Sequence, residues 1–71
     1  MRLLCYDIGG TDIKYGVVED AQILFKDSMS TSHQLGLDSV QNRLLNVARK
    51  MIKEYNVEGI IISILNLIVF Q

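Results

Sequence analysis

The sequence predicts an α/β chain with its elements in the order β-β-β-α-β and a mixed sheet. Three observations carry this. Two apolar, strand-like runs flank a Gly-Gly turn near the N-terminus. After a polar loop, apolar residues recur at spacings of three and four, which is helical periodicity. The pattern then returns to a short β-branched run, Gly59 to Ser63, of the length and composition of a strand.

Arg2 to Ile8 reads as the first strand. Leu3 and Cys5 alternate with Leu4 and Tyr6, so both faces are apolar, as in a central strand buried on both sides. Gly9 and Gly10 permit positive φ, which lets a tight hairpin close. Asp12 to Val18 is the second strand, and Glu19-Asp20-Ala21 a polar turn. Gln22 to Met29 is the third strand, with Ile23 and Phe25 on one face and Leu24 and Lys26 on the other. Ser28 to Gly36 reads as a polar loop.

The helix is expected from Asp38 to Tyr55. Asp38 or Ser39 serves as N-cap, and Gln41 lies three residues after Asp38, as a capping box requires. Val40, Leu44, Val47, Ala48, Met51, Ile52 and Tyr55 form one apolar stripe. Asn42, Arg43, Asn46, Arg49, Lys50 and Lys53 take the other side, most simply a solvated face whose cations suit the C-terminal end of the helix dipole. Asn56 can adopt the left-handed conformation that ends a helix. Gly59 to Ser63 is the fourth strand. Parallel pairing of the first and fourth strands through the helix would be a right-handed crossover. A β-β-β-α-β order is how a ribonuclease-H-like lobe begins.

At 71 residues the chain is one domain or a piece of one. Its 49% hydrophobic content is enough for a core. Seven basic against eight acidic side chains give a net charge of -1, and no basic stretch points to nucleic acid. A lone cysteine, Cys5, cannot form an internal disulfide, which suits a reducing cytoplasm. Cys5 is expected as a small buried hydrophobe. Asp7 interrupts the first apolar run too early for a signal peptide. His33 reads as a solvated loop histidine with no partner ligand. Ile60 to Phe70 is nearly all apolar but too short to span a membrane. Uncharged, β-branched and without proline, it has the marks of an aggregation-prone strand, and it reads as a buried strand or an oligomer contact.

The candidate site is Asp7-Ile8-Gly9-Gly10-Thr11-Asp12-Ile13-Lys14. The glycines let backbone approach an anion closely, with successive N–H groups pointing at it. Thr11 adds a hydroxyl and Lys14 a positive charge on the outgoing strand. Asp7 is placed to hold a hydrated Mg²⁺ beside that phosphate, since Mg²⁺ prefers oxygen ligands and keeps several waters. Neither G-x-x-x-x-G-K-[ST] nor G-x-G-x-x-G is present. The local pattern alone favours a plain hairpin with Asp7 capping the turn.

The stretch Asp-Ile-Gly-Gly-Thr-x-Ile-Lys-x-Gly, followed by a hairpin, resembles the first phosphate motif of the ROK family. That family comprises bacterial sugar kinases and sugar-responsive repressors within the actin-like ATPase superfamily. The resemblance continues at Gly16-Val17-Val18 and, more weakly, at Val57 to Ser63. It implies an incomplete ribonuclease-H-like (actin-like ATPase) lobe over residues 1–63. It also implies ATP and Mg²⁺ as cofactors of the parent reaction, phosphorylation of a hexose. Asp7, Gly9, Gly10, Thr11, Asp12 and Lys14 are then the cofactor-binding residues, with Asp7 toward Mg²⁺ through water.

The sequence departs from the family after Ser63. Residues 64–71 are an apolar tail without the family's glycine-containing sugar loop, and the His and Cys zinc motif is missing. The family's catalytic Asp lies downstream and has no counterpart here. Asp12 stands where the family often has a basic or amide residue. The expectation is therefore a truncated sugar kinase that binds ATP weakly or not at all and phosphorylates no sugar alone. The alternatives are a non-catalytic, self-associating remnant and a fragment of another actin-like ATPase. The repressor branch is disfavoured, since no helix-turn-helix precedes the first strand.

Overall fold

The computed structural model of the protein describes residues 1–64. Its elements are β1 (Arg2–Ile8), β2 (Asp12–Glu19), β3 (Gln22–Ser30), α1 (Leu37–Tyr55) and β4 (Gly59–Ile64), with a 3-10 turn at His33–Leu35 before the helix. They form one sheet in the order β3-β2-β1-β4. The β1–β2 and β2–β3 pairs are antiparallel, and β1–β4 is parallel. The expected element order, mixed sheet and parallel closure are all present.

One face of the sheet packs on α1. Leu4, Tyr6, Ile13 and Val17 meet Val40, Ala48 and Met51 from the helix and Val57 after it. Burial of these apolar groups is the main stabilising term. Leu44, Val47 and Tyr55 pack at the margin of this core, as the three-four spacing requires. Tyr6, Tyr15 and Phe25 on the sheet and Tyr55 at the end of α1 form an aromatic row, with successive ring centroids 6.1, 6.3 and 5.7 Å apart. The Tyr6 hydroxyl donates to the Leu44 carbonyl at 2.6 Å. Burial, and secondarily the neighbouring Tyr15, raise its pKa to about 12. Asn56 ends the helix at φ 55° and ψ 46°, its N–H donating to Ile52.

Several expectations are corrected. The helix begins one residue early, at Leu37, and its N-cap is Gly36 at φ 94°, not Asp38 or Ser39. The chain enters from the 3-10 turn, and a left-handed φ there suits glycine. Strand β3 runs on to Ser30, because Ser30 pairs with Asp12, so the polar loop is shorter. A register shift between Val17 and Val18 separates Ile23 from Phe25. Phe25 pairs with Val17 and packs toward the helix, whereas Ile23 pairs with Val18 and is 65% exposed. A bulge of this kind interrupts strict alternation.

Among the described residues β1 is covered on one face only. Leu4 and Tyr6 are buried, but Leu3 and Cys5 are only half-buried on the open face. Ile52, assigned to the apolar stripe, is exposed. No helix among the described residues is long and apolar enough to cross a membrane. The tail reading at residues 65–71 lies outside the described residues.

Candidate functional site

The site is the turn between β1 and β2. The last ladder pair before it is Ile8 with Ile13, and the Gly9 N–H donates to the Asp12 carbonyl at 2.9 Å. Neither Gly9 nor Gly10 adopts the positive φ expected of them; Gly36 alone among the glycines does. Close approach gives the physical reason for Gly9 instead: a Cβ there would stand 3.0 Å from the Asp12 carbonyl oxygen. At Gly10 a Cβ would meet nothing within 4 Å, so this stretch of backbone is open to its surroundings.

All six candidate residues, Asp7, Gly9, Gly10, Thr11, Asp12 and Lys14, line one cavity of about 190 Å³. Hairpin geometry brings them together. Asp7 and Lys14 are register partners on neighbouring strands, both exposed, and among the described residues no ion pair joins them. The N–H groups of Gly10 and Thr11 have no hydrogen-bond partner among the described residues. The Thr11 hydroxyl does not stand free: it donates to Asp12 Oδ1 at 3.3 Å. The cavity thus offers two unengaged backbone donors, a cation and two carboxylates. Such donors suit a phosphate. No cluster of three or more metal-ligating side chains exists among the described residues. Asp7 fits a Mg²⁺ held mainly by water and phosphate oxygens, not a closed protein cage.

Asp7 and Lys14 also border a wider groove of about 690 Å³ on the open face of the sheet. Its floor includes Cys5, Gly16 and Ile61, with Lys26 and Ser28 toward β3.

Two residues that hold the loop are not apparent from sequence. Thr31, 5% exposed, donates from its hydroxyl to the Gly9 carbonyl at 2.8 Å. Its N–H donates to the Thr11 carbonyl at 3.0 Å. Arg43, assigned to the solvated helix face, turns inward and donates to the Ser30 and Thr31 carbonyls. The one signal for Thr31 is register. Once Asp12 is opposite Ser30, the next residue on β3's side falls beside Thr11.

No family model matches the sequence, and no curated protein matches it. Solved structures do match. A Ppx/GppA phosphatase from Aquifex aeolicus superposes with a TM-score of 0.67 at 20% identity, over 90% of this chain and 26% of its own. A Cytophaga hutchinsonii protein provisionally assigned as a sugar kinase superposes with a TM-score of 0.67 at 25% identity, over 87% of this chain and 21% of its own. The chain therefore spans about a quarter or less of the length of these structures. It has the fold of part of an actin-like ATPase, ribonuclease-H-like lobe.

Proposed function

We propose that this chain is the phosphate-binding N-terminal part of an ATP-dependent sugar kinase of the ROK type. The observation that carries the reading is the 190 Å³ cavity that gathers the motif residues around two unengaged N–H groups. Likeness to the Cytophaga hutchinsonii protein supports the sugar-kinase assignment. In phosphoryl transfer the protein mostly positions groups and neutralises charge. Gly10 and Thr11 donate to phosphate oxygens, Lys14 offsets their charge, and Asp7 holds water of the Mg²⁺ shell. The group that deprotonates the sugar hydroxyl belongs to another part of a longer polypeptide. Alone, this chain binds Mg-ATP weakly and transfers no phosphoryl group.

Amide NMR with millimolar Mg-ATP tests the binding. Shifts confined to the Gly9–Lys14 segment and diminished in Lys14→Ala are expected. A response elsewhere, or none, overturns the reading. A coupled ATP assay over a hexose panel tests inactivity. Turnover that survives purification and vanishes in Asp7→Ala would show the chain to be a kinase by itself.

A second reading, self-association, is favoured by β4. Ile60, Ile61, Ile62 and Ile64 are 39–49% exposed, and β4 is an edge of the described sheet. An apolar edge is a template for another strand, and two-fold pairing of β4 with its copy is the simplest closed arrangement.

A further inference from the structure

We propose that Thr31 and Arg43 are positioning residues of the anion loop, setting the direction of the Gly10 N–H and keeping the Thr11 N–H unengaged. This rests on the reading of the Gly9–Thr11 turn as a phosphate site.

The argument begins with the peptide plane. A trans peptide points its C=O and the following N–H in opposite directions. The Gly9 carbonyl and the Gly10 N–H belong to one such plane. The Thr31 hydroxyl, 2.8 Å from that carbonyl, fixes one end of the plane. The Gly10 N–H is thereby directed away from Thr31. A glycine would otherwise turn freely, so the buried hydroxyl removes freedom that binding would have to remove.

The second half of the device is an exchange of partners. An antiparallel hydrogen-bonded pair normally makes two bonds, N–H to C=O in each direction. Thr31 makes the first, to the Thr11 carbonyl at 3.0 Å. The return bond from the Thr11 N–H is not formed. The Thr31 carbonyl instead accepts from Arg43, whose guanidinium also reaches the Ser30 carbonyl. A planar, preorganised fork suits two successive carbonyls. Arg43 Nε donates further to Ser39 at 3.3 Å, which steadies the side chain on its own helix. The helix is thus linked through Arg43 and Thr31 to both carbonyls flanking Gly10.

The test uses the whole chain and two readouts. Tripolyphosphate titration gives affinity, and the free-state shifts and hydrogen exchange of the Gly10 and Thr11 amides report loop geometry. Thr31→Val removes only the hydroxyl bond. It is expected to weaken tripolyphosphate binding roughly threefold to tenfold, the effect of one lost hydrogen bond, and to shift the Gly10 amide. Thr31→Ser restores both. Arg43→Lys, which loses the fork but keeps the charge, frees the Thr31 carbonyl for the return bond and slows exchange at Thr11. If the wild type binds and the variants bind equally with unmoved loop amides, the positioning role is wrong and the anion site stands. If the wild type ignores tripolyphosphate while both variants disturb the loop, the anion reading fails and the positioning of the loop stands. Should Thr31→Val not fold, Arg43→Lys decides by the same readouts.

Discussion

The Tyr6 hydroxyl donates a 2.6 Å hydrogen bond to the Leu44 carbonyl, joining the central strand to the middle of the helix. Because burial raises the Tyr6 pKa to about 12, the folded protein keeps this proton where the unfolded chain, with an ordinary tyrosine pKa of about 10, has lost it. The stability this confers is complete below pH 10 and declines as pH rises through 12. Tyr6→Phe is expected to cost about 1 kcal/mol at neutral pH and to flatten the alkaline decline. Denaturant titrations between pH 8 and pH 12 check both, and an equally steep decline in the variant would count against Tyr6 as its source.

Asp20 and Ala21 form the β2–β3 turn at φ 49° and 65°. Left-handed backbone at both central positions favours glycine at the second. Ala21→Gly is expected to stabilise the protein by about 0.5–1 kcal/mol, the relief of strain less the added freedom of the unfolded chain. A melting temperature that stays put or falls would contradict this.

Asp12 brings a carboxylate to the loop cavity and accepts a hydrogen bond from the Thr11 hydroxyl. Unit charges about 4 Å apart in water interact by about 1 kcal/mol. Asp12→Asn is expected to tighten tripolyphosphate binding severalfold and to steepen its salt dependence, whereas Lys14→Ala flattens it. Calorimetry at two ionic strengths measures it; weaker binding by the Asn variant would mean that the carboxylate orders the loop more than it repels the ligand.

The exposed isoleucines of β4 lead to the prediction that the protein dimerises at micromolar concentration. Ile62→Lys, at the middle of the edge strand, should lower the mass seen by light scattering, since an edge lysine opposes strand pairing. A well-folded wild-type monomer at all concentrations would exclude the strand-to-strand contact.

Much of the fold is legible in the sequence because its signals are local. Hydrophobic period separates the strands from the helix, Asn56 marks where the helix ends, and contiguity alone ensures that Asp7 to Lys14 meet at one turn. What is not legible depends on pairing. The register shift that parts Ile23 from Phe25 leaves no mark in composition. Thr31 gains its role only from the β2–β3 register, and an arginine on a helix looks solvated until two strand-end carbonyls are known to lie beside it. The glycines are legible as important for a reason the structure changes: Gly9 is needed for close approach to the Asp12 carbonyl, not for left-handed φ, and at Gly10 a side chain would meet open space.

The sheet order carries a consequence for how the molecule assembles. Strands β1, β2 and β3 are joined by tight turns, so their pairing closes short loops. β4 reaches its place beside β1 only after the whole meander and helix have been threaded between them, as in the pairing of Leu4 with Ile60. Closing the longer loop costs more chain entropy, and non-local contacts form late. The meander is therefore expected to form first and β4 to dock last. Native-state hydrogen exchange should accordingly find the Ile60–Ser63 amides opening at lower free energy than those of β2, with the remaining three strands persisting as one cooperative unit.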